Sequence, residues 1–267
     1  MQKRGLEEKR TVATFSAASF LNDVGSDMVR PLWPLFITTF LGAPFALLGL
    51  LDGLGDALGY TTKTPSSFLA DRYRKKPFIW FGYLLSGGAR IFYAVSAIFR
   101  TTFVLFSGKI IDGLGRGIRE PARDAVVTET VSKNRGKAFG ILRTSDNLGA
   151  ALGPLIAFLL FTSLGFSKLF LLAAIPSLIG SLLIIFFIKK KRKTISHKTT
   201  IVEFREIKKD FKDKKNYWKF VSVSALFALS WFSISFMIVF GAEVLKFNKL
   251  SIAAVPLLLL IYSLTAS

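Results

Sequence analysis

The sequence predicts an all-α membrane protein built as a helical bundle, and three observations predict it. Apolar residues make up 51% of the 267 and gather in blocks, among them 148–164, 169–188, 220–245 and 252–267. These approach or exceed the ~20 residues that cross a ~30 Å hydrocarbon layer. The formal net charge of +19 lies mostly between the blocks, and further charged residues recur inside them at helical spacing. A compact cytosolic enzyme and a nucleic-acid-binding basic face are both excluded as explanations, because the positive charge is interleaved with membrane-length apolar segments. The chain has no cysteine, which removes disulfides, thiolate metal sites and cysteine nucleophiles.

Breaks at charged and Gly/Pro-containing stretches give eight helical segments, about 11–41, 45–69, 77–99, 103–131, 137–163, 168–188, 217–245 and 251–267. Several exceed a simple span, so tilt or kinks at Pro31, Pro34 and Pro121 are expected. The basic N-terminus, Met1–Arg10, is followed by a stretch interrupted by Asn22, Asp23, Asp27 and Arg30 with no small-residue cleavage site, unlike a signal peptide. Three domains follow: 1–188, a six-helix transmembrane bundle; 189–216, a basic cytoplasmic loop; and 217–267, the first two helices of a second, incomplete bundle.

Orientation follows from Lys and Arg, which are retained on the cytoplasmic side. With the N-terminus inside, the inner segments hold 24 of the 36 and the outer ends hold four, Arg100, Lys168, Lys246 and Lys249. The remaining eight fall within helices. The loop 189–216 opens with Lys189, Lys190, Lys191, Arg192 and Lys193 and then sets Phe204, Ile207 and Phe211 on one stripe. It reads either as an interfacial amphipathic helix that meets anionic lipids or as a solvated linker. The lone histidine, His197, belongs to this linker.

An internal repeat relates the second and fifth helices. Residues 52–59 read DGLGDALG and residues 146–153 read DNLGAALG, identical at six of eight positions and 94 apart. A tandem three-plus-three arrangement requires this, and such repeats place transporter sites near the bilayer midplane. Ionisable groups inside a span cost several kcal/mol unless they face a cavity or one another. Asp23, Asp27 and Arg30 share one face of the first helix, within about 60°. Asp52, Asp56 and Lys63 form a stripe on the second, and Lys109, Asp112, Arg116, Arg119, Glu120, Arg123 and Asp124 cover a sector of about 140° on the fourth. Helix midpoints put Asp27, Asp56, Arg90, Arg116 and Asp146 near one plane. A polar central cavity for substrate and protons is therefore expected at Asp23, Asp27, Arg30, Asp52, Asp56, Lys63, Arg90, Lys109, Asp112, Arg116 and Asp146. Buried ion pairs that only specify packing are the plainer alternative.

These residues resemble the major facilitator superfamily. SFLADRYRKK at 67–76 is similar to its G-x-L-x-D-R-x-G-R-K loop, with Asp71, Arg72, Lys75 and Lys76 in place but Ser67 and Arg74 where glycines stand. In the fourth helix Lys109, Asp112, Gly113 and Gly115 resemble R-x-x-Q-G-x-G. Gly149, Gly153 and Pro154 resemble the antiporter-associated G-x-x-x-G-P-x-x-G-G pattern, with Ala157 and Phe158 in its last two places. Asn22-Asp23, GRGIREPARD at 115–124 and RGKAFG at 135–140 resemble a prokaryotic branch of the family.

The resemblance implies alternating access in a multi-pass protein of a prokaryotic plasma membrane, a conformational-switch role for Asp71–Lys76, and no cofactor. It also implies twelve helices, of which this chain holds eight. The function expected is secondary active transport of a small solute, coupled to protons as export or antiport. The alternative is half of such a fold acting as a membrane interaction or assembly protein. No paired metal ligands, activated nucleophile or phosphate-cradling loop supports an enzyme or an ATP-driven pump. The mixed charges suit an anion, a zwitterion or an amphiphilic cation. Among the carboxylates, Asp52 and Asp56 lie one turn apart as like charges and are the expected proton carriers, with Asp27 and Arg30 as a pair.

Overall fold

Proline and glycine decide where the long helices stop. The computed structural model describes residues 2–131, 133–188, 215–229, 233–244 and 255–256. Among these the chain is helical with no strand. The elements are α1 (Gln2–Val29), α2 (Trp33–Leu35) running into a π turn (Phe36–Phe40), α3 (Phe45–Arg72), α4 (Lys75–Phe99), α5 (Thr102–Thr130), α6 (Arg135–Phe187), α7 (Lys215–Leu229) and α8 (Ile234–Val244). The first expected helix starts earlier, at Gln2, and breaks before Pro31, whose missing N–H and ring end the regular ladder. Leu32 N–H instead bonds the Val29 carbonyl at 3.1 Å, and the chain restarts with Pro34 in the first turn of α2. Pro121 does not break α5, nor Pro65 α3, nor Pro154 and Pro176 α6.

The fifth and sixth expected helices are the two limbs of α6, bent at Gly165, where φ 64 and ψ −171 suit only a residue without Cβ. The seventh expected helix falls on α7 and α8. The eighth, apart from residues 255–256, and the proposed amphipathic segment lie outside the described residues.

Close helix crossings build the bundle from two sandwiches. α5 lies between α3 and α4: Cβ atoms on Gly113 and Gly117 would stand 2.8 and 2.7 Å from the carbonyl oxygens of Gly55 and Gly59, and one on Gly115 2.8 Å from that of Gly82. α1 lies in the same way between the limbs of α6. A Cβ on Gly149 would meet the Phe20 carbonyl oxygen at 2.6 Å, one on Gly153 the Val24 oxygen at 2.7 Å, and one on Gly180 the Ala18 oxygen at 3.0 Å. Small residues permit such approach, and in lipid that packing carries the helix association. The repeated sequence thus has a repeated job: Gly55 and Gly59 meet α5 as Gly149 and Gly153 meet α1.

Two apolar clusters fill the bundle. One, at the end carrying the short connections 42–44, 100–101 and 165, joins Trp33, Phe36, Leu48, Leu51, Tyr93, Phe161 and Phe170. The other, toward the basic end, joins Phe15, Ile79, Tyr83, Leu142 and Ile184. Helix α8 docks on the first through Val239 and Phe236. By length and apolarity alone α4 and α6 qualify as bilayer spans.

Candidate functional site

The stripe of charges on α3 meets a complementary stripe on α5. Because the two helices run parallel, residues rise together in register, and three ion pairs form in order: Asp52–Lys109 at 3.3 Å, Asp56–Arg116 at 3.2 Å and Lys63–Glu120 at 2.8 Å. The glycine contacts hold the helices near enough for side chains of these lengths to meet. Arg116 also donates to the Gly55 carbonyl at 3.2 Å, while its Nε is buried without a partner. Asp56 is largely exposed, with 62% of its side chain accessible, whereas Asp52 and Lys109 are enclosed at 19% and 16%. Trp33 closes over the enclosed pair: its Nε1 donates to Asp52 at 2.9 Å and its ring lies 4.5 Å from the Lys109 ammonium. Ser233, just before α8, donates to the other Asp52 oxygen at 3.5 Å.

On α1, Asp27 is buried and accepts from Arg30 at 3.4 Å, the intrahelical pair that spacing predicts. Asp23, one turn earlier, accepts from Asn22 at 3.0 Å. Neither Asp23 nor Asp112 makes an ion pair among the described residues. Arg90 of α4 is buried at the junction of α1 and the second limb of α6. Its guanidinium donates to Asn22 Oδ1 at 3.4 Å and its carbonyl at 3.2 Å, to Ser26 at 2.6 Å, to the Ala173 carbonyl at 3.4 Å and to Ser177. Such a set of neutral acceptors satisfies a planar fork of five N–H groups. Nearer the basic end, Arg119 donates to Ser86 and lies over Tyr83, while Arg123 reaches Ser19 at 2.8 Å and Asp124 at 2.9 Å.

The structure differs from the sequence expectation at two places. Asp52 and Asp56 each face their own cation on α5, so the argument that they oppose one another as like charges loses its premise. Asp146 does not lie level with Asp27: it meets Arg123 and Arg143, both at 3.9 Å, alongside Ser19. That is eight residues, about 12 Å of helix rise, toward the basic end. Gly149 and Gly153 pack against the backbone of α1, and Pro154 beside them in sequence is buried.

At the basic end, Lys75 joins the ends of three helices, pairing with Asp71 of α3 at 3.1 Å and with Glu129 of α5. Lys76 donates to the Ile185 and Ile188 carbonyls at 2.6 Å each, capping the end of α6. Arg72 is exposed. Sequence reasoning gave no role to Trp33, Ser177, Ser19 and Ser233, and marked Asn22 only through the Asn22-Asp23 resemblance. All are neutral, and a search by charge passes over them; the proline break beside Trp33 was a further available sign.

An all-helical bundle with membrane-length apolar helices and paired charges in its interior is a polytopic integral membrane protein of transporter type. A profile of the Major Facilitator Superfamily matches residues 15–267, and the chain belongs to that family. It is 31% identical over 264 residues to an uncharacterised MFS-type transporter of Methanocaldococcus jannaschii, covering 97% of this chain and 64% of the relative. Multidrug resistance protein MdtH of Klebsiella pneumoniae is 30% identical over 134 residues, half of this chain and 33% of that protein. The chain therefore spans less than two thirds of the length of these relatives. Among solved structures, an inward-facing bacterial homologue of the lysosomal transporter Spinster superposes with a TM-score of 0.74 at 18% identity, over 97% of this chain and 60% of that one. The family is one of transporters, not of enzymes.

Proposed function

We propose that the protein serves in secondary active transport, moving a small solute by alternating access with coupled proton movement in the export direction. The observation that carries this reading is the charged seam of α3 and α5, together with the carboxylates Asp23 and Asp27 that α1 carries. Five helices, α1, α3, α4, α5 and α6, spend ionisable residues on the bundle interior, where each is costly unless used. The drug-resistance relatives support export. Cytoplasmic placement of the N-terminus and of the basic loop 189–216 rests on the charge asymmetry, and anionic lipid is the partner that loop suits. Gly149, Gly153 and Pro154 keep their antiporter reading only as the packing that lets α1 and α6 move as one body.

The proton carriers in this proposal are Asp23 and Asp112. Every other acid of the seam is held by a cation, and a carboxylate free of an ion pair is the one that can exchange a proton without first breaking a contact. The protein reconstituted in liposomes, with an imposed pH gradient, tests this by the fluorescence of an internal pH dye. Proton movement on addition of a transported solute is expected, and Asp23→Asn with Asp112→Asn should abolish it while solute exchange persists. Unchanged gradient-driven movement in the double variant would refute the assignment.

A further inference from the structure

The Asp52–Lys109 pair is built differently from the other two pairs of the seam. Asp56–Arg116 lies with its acid largely exposed and, among the described residues, without a ring against it; the ring near Lys63, besides its partner Glu120, is Tyr60, which is exposed and on the same helix. Lys109 instead lies in a fitted slot. Its ammonium rests on the face of Trp33 at 4.5 Å and beside Asp52 at 3.3 Å. Tyr93 backs Trp33 with ring centroids 4.8 Å apart. The Trp33 Nε1–H holds Asp52 in place at 2.9 Å. The aliphatic stem lies in a trough that exists because residue 55 is glycine: a Cβ there would stand 3.2 Å from Lys109 Cδ and 3.3 Å from its Cγ. An aromatic face, an oriented carboxylate and an apolar trough are the components of an organic-ammonium site, since ring quadrupole and carboxylate attract the same charge.

From this geometry we infer that the Trp33–Asp52 slot is a recognition site for a primary ammonium group on an apolar stem, and that Lys109 is its tethered occupant. The inference rests on the transporter reading and narrows its substrate class to amphiphilic amines. The substrate's ammonium displaces that of Lys109, which frees a cation into the seam. Because Lys109 is held at high effective concentration, a free amine competes poorly until the lysine is withdrawn. Ser233 at 3.5 Å from Asp52 places the entry to α8 against the same carboxylate, so exchange of the cation is felt at that helix.

The test is chemical rescue. The Lys109→Ala variant leaves the trough and the carboxylate empty of a cation and should melt below the wild type. Addition of n-butylammonium chloride, which carries the four carbons and the ammonium of a lysine side chain (the substitution removes three of the four carbons), should restore the melting temperature, while sodium chloride, sodium butyrate and 1-butanol at equal concentration should not. Titration calorimetry should show n-butylammonium binding at least tenfold tighter in Lys109→Ala than in the wild type. Asp52→Asn and Trp33→Leu should each reduce the wild-type heat, and Gly55→Ala should block rescue when added to Lys109→Ala. A folded Lys109→Ala that n-butylammonium stabilises no more than sodium chloride does would overturn the proposal. Should that variant not fold, wild-type binding of n-butylammonium that survives both Asp52→Asn and Trp33→Leu overturns it equally. Proton-driven transport without amine binding would remove this inference and leave the transporter reading; amine binding in a protein that moves no solute would do the reverse.

Discussion

Replacing Gly153 by alanine tests how the bundle is held together. The new Cβ would lie 2.7 Å from the Val24 carbonyl oxygen, 2.8 Å from the Asp27 carbonyl carbon and 2.8 Å from the Met28 nitrogen. All three are backbone atoms of α1, so no rotamer change relieves the overlap. Ordinary contact begins at 3.4 Å, so α1 must withdraw by roughly 0.7 Å, and a gap of that order forfeits a quarter to a half of each dispersion contact along the crossing. Overpacking of this kind costs about 1–3 kcal/mol. The gain in helix propensity, at most about 1 kcal/mol, is measured separately by Gly53→Ala, since a Cβ on Gly53 meets nothing within 4 Å. The two single variants should differ by about 2 kcal/mol, or roughly 4–8 °C in melting temperature on the soluble-protein scale. Purified protein in one detergent, heated and followed by circular dichroism, provides the assay. The double change of Gly149 and Gly153 should cost less than twice the single one, because one withdrawal of α1 accommodates both methyls. Equal melting of Gly153→Ala and Gly53→Ala would refute the claim that this crossing is at its limit.

Other expectations follow from the polar groups. Arg90→Leu strands the acceptors at Asn22, Ser26 and Ser177 and should destabilise by about 2–4 kcal/mol; Arg90→Lys should recover only part, because a point charge cannot span the fork; thermal melting of both variants checks this. Asp71→Asn removes one contact of Lys75 at an exposed end, so melting should change by well under about 1 kcal/mol, whereas transport in liposomes should fall sharply with solute binding intact. Equal loss of binding and transport would contradict a switching role. Single cysteines at Thr102 and Ser196, in a chain that has none, should label from outside and from inside the cell respectively; the opposite pattern would reverse the topology.

The helices were legible because their signals are local and strong: apolar runs, charged ends, and Pro31 where α1 stops. The partner relations on α1 and along α3 and α5 were legible where spacing on one helix decides them, as for Asp27 with Arg30. What spacing could not supply was register between helices. Whether Asp52 faces Asp56 or Lys109, and whether Asp146 lies level with Asp27 or with Ser19, depends on where glycine backbones cross, and that is a property of two segments far apart in sequence. Neutral side chains such as Asn22 and Ser177 carry no sign of burial until the arginine they surround is placed.

The two sandwiches exchange their middle members. α1 belongs by sequence to the first three-helix repeat but packs between the limbs of α6, in the second; α5 belongs to the second and packs between α3 and α4, in the first. During synthesis, then, α1 is made before either limb of α6, and its seat is complete only when both have emerged. α1 carries Asp23, Asp27 and Arg30 and is poorly suited to wait in lipid alone. Its close crossings become available only once Gly149 and Gly153, and later Gly180, have been made, so the bundle closes late in synthesis. A substitution that weakens the α1 seat, such as one at Gly149 or Gly153, would be felt first as degraded nascent chain and only afterwards as impaired activity.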